Sequence, residues 1–225
     1  MAGFNVAAVI LHSVAAAILT YGYNQLERLP NNDFVKNQVG GHFQFLTIQG
    51  LAVAWLTMVL SLIADVTHIQ AVVRFKRALF MVAMPLAAVI SSIYWTLLLF
   101  FPTLILRVPE PGELGPTSSG EVPELLRIPI GLDLSLHAVP GAALLLDFYL
   151  FEVKYASSYA RYGGAAVCLI AASGYSWWAE YCASFNKIFP YPFLTNNDFP
   201  GRVGIYIAVG TFAYFVFQIL NSLHS

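Results

Sequence analysis

Charged side chains are scarce in this sequence. Lysine, arginine, aspartate and glutamate together make up 10% of its 225 residues, whereas a soluble domain carries roughly 25%. Apolar residues make up 58% of the chain, and the mean hydropathy is +0.69. So few charges cannot cover a water-facing surface. The composition therefore predicts an integral membrane protein, and the length suits a single bundle.

Basic clusters and the common motifs of enzymes are also missing. The net charge is −1, with no run of lysine and arginine, so nucleic acid is not an expected partner. The sequence contains no Gly-x-Ser-x-Gly, His-Glu-x-x-His or Cys-x-x-Cys pattern. We therefore expect no serine-hydrolase elbow, no metal and no cofactor.

The two cysteines, Cys168 and Cys182, lie fourteen residues apart in one predicted helix. At 1.5 Å per residue that is about 21 Å along the axis, too far for an internal disulfide. They are interpreted as small apolar packing residues, and they leave the redox compartment open.

Long apolar runs dominate what remains. Because the runs are continuously apolar, they favour helices over the alternating strands of a barrel. The prediction is an all-α, single-domain bundle of six transmembrane helices over residues 1–225. The third run is expected to tilt or to end before Pro102, and residues 107–129 are predicted to be a flexible loop. The six spans are placed near 4–23, 43–64, 79–106, 130–151, 164–182 and 203–220.

Basic residues are densest in the loops at 65–78 and 152–163. The positive-inside rule then predicts that these loops and both termini are cytoplasmic. The expected setting is a multi-pass protein of the endoplasmic reticulum or plasma membrane. The sequence does not distinguish the two membranes, and it does not indicate an oligomeric state.

A few polar groups fall inside these spans, where they usually face the bundle interior. Thr47 and His137 lie in the second and fourth spans, which both start on the non-cytoplasmic face. From the helical rise their depths are roughly 6 and 10 Å, so the two can share a layer, with Asp133 and Glu180 at the same end. His12 is expected near mid-depth, and Asp147 nearer the opposite face.

The chemistry of Thr47 has two interpretations. Its hydroxyl could simply bond the carbonyl four residues back, as buried helical threonines commonly do. As a nucleophile it would need a base within reach. His137 suits that role, and Asp133, four residues earlier on the same face, could orient its imidazole. The alternatives are a core histidine with satisfied partners, or one haem held between His137 and His12.

The residues around Thr47 resemble a known family, the androgen-induced-gene and androgen-dependent TFPI-regulating membrane proteins with their fungal relatives. The resemblance spans nearly the whole chain. It is most specific at Gly40-Gly41 followed by Phe43, Phe45, Leu46 and Thr47, at His137, and at Tyr191-Pro192-Phe193. This chain departs from the family pattern at Phe43, Gln44, Gly50 and Asp133-Leu134.

That resemblance implies a six-span hydrolase that cleaves fatty acid esters of hydroxy fatty acids, with Thr47 as nucleophile and His137 as general base. The lipid ester and the bilayer are then the expected partners. Polar support is expected from Asp133, Glu180, Gln44 and Tyr191. The alternative is a lipid-binding or regulatory membrane protein without turnover, in which Thr47 and His137 only hold helices together.

Overall fold

The computed structural model describes residues 5–29, 31–106 and 127–224, and these ranges contain helices and connecting loops but no strand. Nine α-helices follow one another in the described ranges: α1 Val6–Gln25, α2 Asn32–Lys36, α3 Leu46–Thr67, α4 Gln70–Phe100, α5 Ile130–His137, α6 Val139–Leu150, α7 Gly164–Asn186, α8 Pro192–Thr195 and α9 Phe199–Leu223. Short 3₁₀ segments occupy Leu26–Arg28, Gly41–Gln44 and Pro102–Leu104, and a π-helical turn occupies Tyr159–Gly163. The predicted flexible loop falls, except for its last three residues, outside the described residues.

Helix ends follow local sequence signals. Asn5 and Asp198 cap α1 and α9, and their side-chain oxygens accept the backbone N–H groups of Ala8 and Gly201. Such caps satisfy donors that have no partner within the helix. The predicted third run is part of α4, which starts at Gln70 rather than Leu79 and ends before Pro102.

Four helices, α1 (continued to Arg28), α3, α4 and α9, are long and apolar enough to cross a membrane. The pair α5 and α6, bent by 40° at Ala138, makes a fifth candidate if it counts as one broken span. The predicted fifth span, 164–182, falls on α7, which has 23 residues but is not among these candidates. Glycine, serine, tyrosine and tryptophan lower its hydropathy. Over its described residues the chain is thus an all-helical membrane protein with four or five candidate spans.

The helices form two groups. Helix α3 packs against α1 and α4, and the bent pair α5–α6 packs against α1, α3 and α4. Helices α7 and α9 pair with each other and join the first group through α4. The apolar core lies within the first group, around Met58, Phe80, Leu144 and Phe148, none of which is exposed to solvent. The contact of the two groups creates the space in which the candidate site lies.

Candidate active site at the start of helix α3

Two glycines bring the chain close to α7 before α3 begins. Gly40 and Gly41 have φ angles of 86° and 49°, which glycine adopts far more readily than other residues. A Cβ at Gly40 would also lie 2.7 Å from the Cys182 Sγ atom. This turn leads into Gly41–Gln44 and an extended Phe45, after which α3 starts at Leu46. Thr47 therefore lies in the first turn of α3.

The Thr47 hydroxyl does not follow the usual pattern of a buried helical threonine. Its Oγ1 lies 3.4 Å from the Tyr191 hydroxyl, and the Thr47 N–H donates to the same Tyr191 oxygen at 3.4 Å. The carbonyl four residues back, that of Phe43, accepts instead from Gln49 Nε2 at 2.8 Å and Trp178 Nε1 at 2.9 Å. The interpretation of Thr47 as a helix-bonded threonine therefore does not describe this structure.

Other threonines in the same helix supply the comparison. Thr57 donates its hydroxyl to the Val53 carbonyl at 2.7 Å, and Thr67 donates to Ile63 at 2.7 Å. Both bonds span four residues. Thr47 differs because it lies at the helix start, where the preceding residues are not in an α-helix.

The first turn of α3 presents unpaired donors, as every helix N-terminus does. The Tyr191 hydroxyl faces the backbone N–H groups of Leu46 and Thr47 and also the Tyr175 hydroxyl. Burial raises the pKa of Tyr191 above its usual value, so the phenol stays neutral and keeps its proton. Backbone amides and phenolic hydroxyls thus converge beside the Thr47 side chain.

His137 ends α5, and its ring is oriented on both sides. Its Nδ1 lies 2.7 Å from Asp133 Oδ1 and 3.2 Å from the Asp133 backbone oxygen. Both are acceptors, so Nδ1 carries the proton and the neutral ring has its lone pair on Nε2. Nε2 makes no hydrogen bond to any residue in the described ranges. The Tyr94 ring stacks on the imidazole with centroids 3.4 Å apart and planes within 2°.

The break after His137 has a local cause. Pro140 in the first turn of α6 has no backbone N–H to bond to the Leu136 carbonyl. The Ser91 hydroxyl of α4 donates to the His137 carbonyl, and a Cβ at Gly141 would lie 2.9 Å from that Ser91 Oγ. A proline and an inserted side chain are the recognised causes of a helix bend. The bend ends α5 at His137.

Thr47 and His137 line the same cavity, of about 160 Å³, together with Tyr94 and Tyr191. A larger cavity of about 710 Å³ lies between α3, α4, α7 and α9 and shares Thr47, Tyr94 and Tyr191 in its lining. Among the described residues Thr47 and His137 make no direct hydrogen bond; the Thr47 oxygen pairs with Tyr191. The sequence prediction that the two residues share a layer is consistent with this arrangement.

The family profile described as FAR-17a/AIG1-like protein matches residues 7–225. The chain belongs to the FAR-17a/AIG1-like family. This is the family that the Gly40–Thr47 segment resembles, so the sequence prediction of the family is confirmed. Thr47, His137 and Tyr191 all lie within the matched residues.

Two yeast proteins are relatives of this FAR-17a/AIG1-like chain. The UPF0641 membrane protein PJ4664.05 of Schizosaccharomyces pombe is 28% identical over 216 residues, which cover 96% of this chain and 89% of the relative. The UPF0641 membrane protein YHR140W of Saccharomyces cerevisiae is 29% identical over 140 residues, covering 60% of this chain and 54% of the relative. Their names state only that they are membrane proteins. No solved structure matches the chain significantly.

Two predicted support residues have partners away from Thr47. Gln44 is fully buried and donates to Gln38 Oε1 at 2.7 Å and to the Gly41 carbonyl at 3.0 Å, so it braces the loop before α3. Glu180 accepts hydrogen bonds from Arg202 Nε at 2.6 Å and Nη2 at 2.9 Å, and so connects α7 to α9. Asp133 and Tyr191, by contrast, contact His137 and Thr47 directly.

His12 lies in a separate cluster. Its Nδ1 is 2.6 Å from Asp65 Oδ2, and its Nε2 is 3.1 Å from Asp147 Oδ1, close enough for an ion pair although outside hydrogen-bond geometry. His12 lies ten residues, about 15 Å, along α1 from Gly22, which packs on Ser135 beside His137. The geometry thus separates the two histidines considered as haem ligands. Residues 5–29, 31–106 and 127–224 contain no cluster of three or more His, Cys, Asp or Glu placed to hold a metal ion.

Sequence reasoning missed Tyr94 and Tyr175. Each is a tyrosine inside an apolar run, where its hydroxyl needs a polar partner. That requirement was a usable signal: Tyr94 stacks on His137, and the Tyr175 hydroxyl lies 3.5 Å from the Gln44 carbonyl beside the start of α3. Neither partner could be named from the sequence, because both contacts join helices distant in the chain.

Proposed function

We propose that this chain is a membrane-embedded hydrolase of lipid esters, with Thr47 as nucleophile and His137 as general base. The substrate class is fatty acid esters of hydroxy fatty acids, as the resemblance at Gly40–Thr47 implies. One observation carries the proposal. A threonine hydroxyl that is not bonded to its own helix shares a cavity with an imidazole whose Nδ1 proton is held by Asp133.

The reaction has two steps. The acyl group is transferred first to Thr47 and then to water. Thr47 Oγ1 attacks the ester carbonyl carbon while His137 Nε2 takes the hydroxyl proton. The tetrahedral intermediate expels the alcohol, which leaves with the proton from His137. A water molecule then attacks the acyl-threonine, gives a proton to Nε2 and releases the fatty acid, and the Thr47 oxygen recovers that proton.

Proton transfer requires Thr47 and His137 to come together once the ester is bound. Catalytic hydrogen bonds are often long without substrate and tighten in the complex. Rotation of the Thr47 side chain away from Tyr191 provides such a movement, because the present contact is 3.4 Å and therefore weak.

The start of α3 supplies the stabilisation of negative charge. The intermediate bears an oxyanion next to Thr47, where the N–H groups of Leu46 and Thr47 and the neutral Tyr191 hydroxyl converge. Preorganised donors in a site that excludes water give the largest single contribution to many such reactions.

We also infer that the bundle crosses the membrane six times, with α7 as the remaining span. Its 23 residues extend about 35 Å at 1.5 Å per residue, long enough for a hydrocarbon core. The exposed aromatics Trp177, Tyr181 and Phe185 near its C-terminal end suit the headgroup layer. This end and Thr47 then face the lumen or the exterior, and the termini face the cytoplasm.

A fluorophosphonate probe tests the proposal against a lipid-binding protein without turnover, which the large apolar cavity also suits. The probe forms a covalent adduct only with an activated nucleophile. The expected result is labelling of the purified wild-type protein, lost in Thr47→Ala and His137→Ala. Thr57→Ala is the matched control, because Thr57 is a buried threonine of the same helix, and it should label normally. Absent labelling of the wild type, or labelling that survives Thr47→Ala, would refute the hydrolase.

A further inference from the structure

Two cavities of unequal size meet at Thr47. The large one, of about 710 Å³, and the small one, of about 160 Å³, share Thr47, Tyr94, Ile105 and Tyr191 in their linings. An ester has two arms that diverge from one carbonyl group. The reacting carbonyl can lie beside Thr47 while the two arms extend into different cavities.

The large cavity fits an apolar chain. Its wall on α4 runs from Val82 to Leu97, fifteen residues or roughly 22 Å of helix, and it continues over α7 and α9. The described residues that line it include no lysine, arginine, histidine, aspartate or glutamate. A charged group would therefore lose its hydration there without a partner, whereas a long acyl chain would bury its whole length.

The small cavity differs in polarity and position. It lies at the loop end of the bundle and is lined by Asn31, Gln38, His42 and Arg127 besides Thr47 and His137. His42 Nε2 is 2.9 Å from Asn32 Oδ1, and burial lowers the pKa of His42 below its ordinary value. His42 is therefore neutral near pH 7, and Arg127 supplies the fixed positive charge of this lining.

The Arg127 guanidinium has no ion pair or hydrogen bond with the part of the chain that the structure describes. Arg127 is exposed and lines the small cavity, whereas the half-buried Arg77 and Arg202 are paired with Glu152 and Glu180. A planar guanidinium with unused donors is suited to bind a carboxylate through two parallel bonds.

We propose that Arg127 binds a carboxylate on the alcohol-side arm of the ester, in the small cavity, while the acyl chain occupies the large one. This inference rests on the proposed function and assigns its specificity. The enzyme then prefers esters whose leaving alcohol carries an ionised acid, and the fatty acid released from Thr47 comes from the large cavity. Neutral esters of the same length bind without this anchor.

The test compares two substrates that differ only at the far end of the alcohol arm, a free carboxylic acid and its methyl ester. Wild-type protein and Arg127→Gln are assayed in detergent on both, and the ratio of kcat/KM for acid over methyl ester is the readout. Because Arg127→Gln removes the charge and the two parallel hydrogen bonds to the carboxylate, the ratio should fall about tenfold. Arg127→Lys, which keeps the charge but not the fork, should give an intermediate ratio.

Arg28→Gln is the matched control. Arg28 lies on the same face, between the cavity-lining Leu26 and Leu29, but does not line the cavity itself. Its ratio should equal that of the wild type. An equal fall in both variants, or no fall in Arg127→Gln, would overturn the assignment of Arg127 while leaving the hydrolase intact.

A binding measurement separates the two proposals. Amide isosteres of both substrates are not cleaved, and their affinity is read as the shift they cause in the melting temperature of the protein. A preference for the acid isostere that Arg127→Gln removes supports the carboxylate site even if no ester is hydrolysed. Equal shifts from both isosteres would refute it.

Discussion

Two buried histidines in this bundle each contact a carboxylate, yet their surroundings differ. His12 is enclosed by Asp65 and Asp147, one at each ring nitrogen, and it lines neither of the two cavities described here. His137 has Asp133 at one nitrogen, no described partner at the other, and a cavity beside it that Thr47 also lines. The same pair of residue types can therefore join helices in one layer and serve as a base in another. The difference is that His137 has one ring nitrogen without a partner among the described residues and lines a cavity, whereas His12 has a carboxylate at each nitrogen.

The layer around His12, called the lower layer below, also contains a cluster of ion pairs and hydrogen bonds that joins several elements. Lys76 and Arg77 both bind Glu152 at 2.7 Å, and the Tyr155 hydroxyl donates to the Arg77 carbonyl. Asn221 of α9 bonds both backbone groups of Tyr155. Because the polar groups of this layer are bonded to one another, we expect substitutions here to lower stability. We expect substitutions in the layer around Thr47 and His137 to lower turnover.

The largest expected effect is the loss of turnover in Thr47→Ala. Removal of a nucleophile should lower kcat by on the order of 10⁴-fold, while the melting temperature changes little because the hydroxyl makes only a 3.4 Å contact. Ester hydrolysis and thermal unfolding in the same detergent measure the two effects. Thr57→Ala should instead lower the melting temperature and leave kcat unchanged. A loss of less than about tenfold in the kcat of Thr47→Ala would exclude Thr47 as the nucleophile.

Asp147→Ala should have the next largest effect, on the lower layer. Asp147 is completely buried and contacts both His12 and Ser61, and removal of one partner of a buried ion pair costs about 3–5 kcal/mol. The free energy of unfolding should fall accordingly, with turnover per folded molecule preserved. If Asp147→Ala abolished turnover at unchanged stability, the division between the layers would be wrong.

Asp133→Asn, in the layer around Thr47 and His137, should have a smaller effect, on turnover. The amide oxygen can still accept the His137 Nδ1 proton, but without the negative charge that stabilises an imidazolium. Substitution of such an orienting group typically lowers activity by about 10–100-fold. The limb of the kcat/KM pH profile that is assigned to a base should also move to lower pH, because the negative charge that favours the protonated imidazole is lost. A fall in kcat with an unchanged pH profile would assign Asp133 a purely structural role.

The direction of that shift follows from the sign of the charge. Asp133 carries the negative charge that favours the protonated form of His137, so its loss moves the limb of the profile to lower pH for a step that needs the neutral imidazole. The expected result for Asp133→Asn is thus a limb displaced toward acid together with the 10–100-fold fall stated for an orienting group. A limb displaced toward higher pH would contradict the contact between Asp133 and His137.

The smallest effect is expected at His42, in the loop wall of the small cavity. Burial lowers the pKa of His42 in the folded state from its ordinary value of 6.5. The unfolded chain therefore binds a proton that the folded chain resists, and stability falls as the pH drops below 6.5 toward the lower folded pKa. The melting temperature of His42→Gln should therefore fall less than that of the wild type when the pH is lowered over that range. Equal losses would show that His42 is protonated with no cost in the folded state.

Much of this architecture was predictable from hydrophobic runs and a short motif. The membrane class, the helices and the polar residues inside them follow from period and composition, and the family follows from the segment Gly40–Thr47. The pairing of His12 with Asp147, and the stack of Tyr94 on His137, did not follow, since each depends on how helices rotate against one another. The start of α4 at Gln70 was also missed, because its first two turns are polar enough to read as a loop.

The candidate site likewise has contacts that could be predicted from the sequence and contacts that could not. Asp133 and His137 lie four residues apart on one helix, so their contact could be predicted from spacing alone. Gln44 and Glu180 were expected to support the site because of their depth, yet the structure gives them other partners, Gln38 and Arg202. Depth fixes the layer of a polar side chain but not the direction in which it points.

The central claim is that Thr47 becomes acylated, and mass spectrometry of the trapped intermediate tests it most directly. The purified protein is mixed with a slowly deacylated ester, quenched in acid and digested, and the peptide that carries Thr47 is sequenced. The account predicts an acyl group on the Thr47 oxygen that is absent from His137→Ala. Hydrolysis of the ester with no acyl group on that peptide, or an acyl group on another residue, would contradict it.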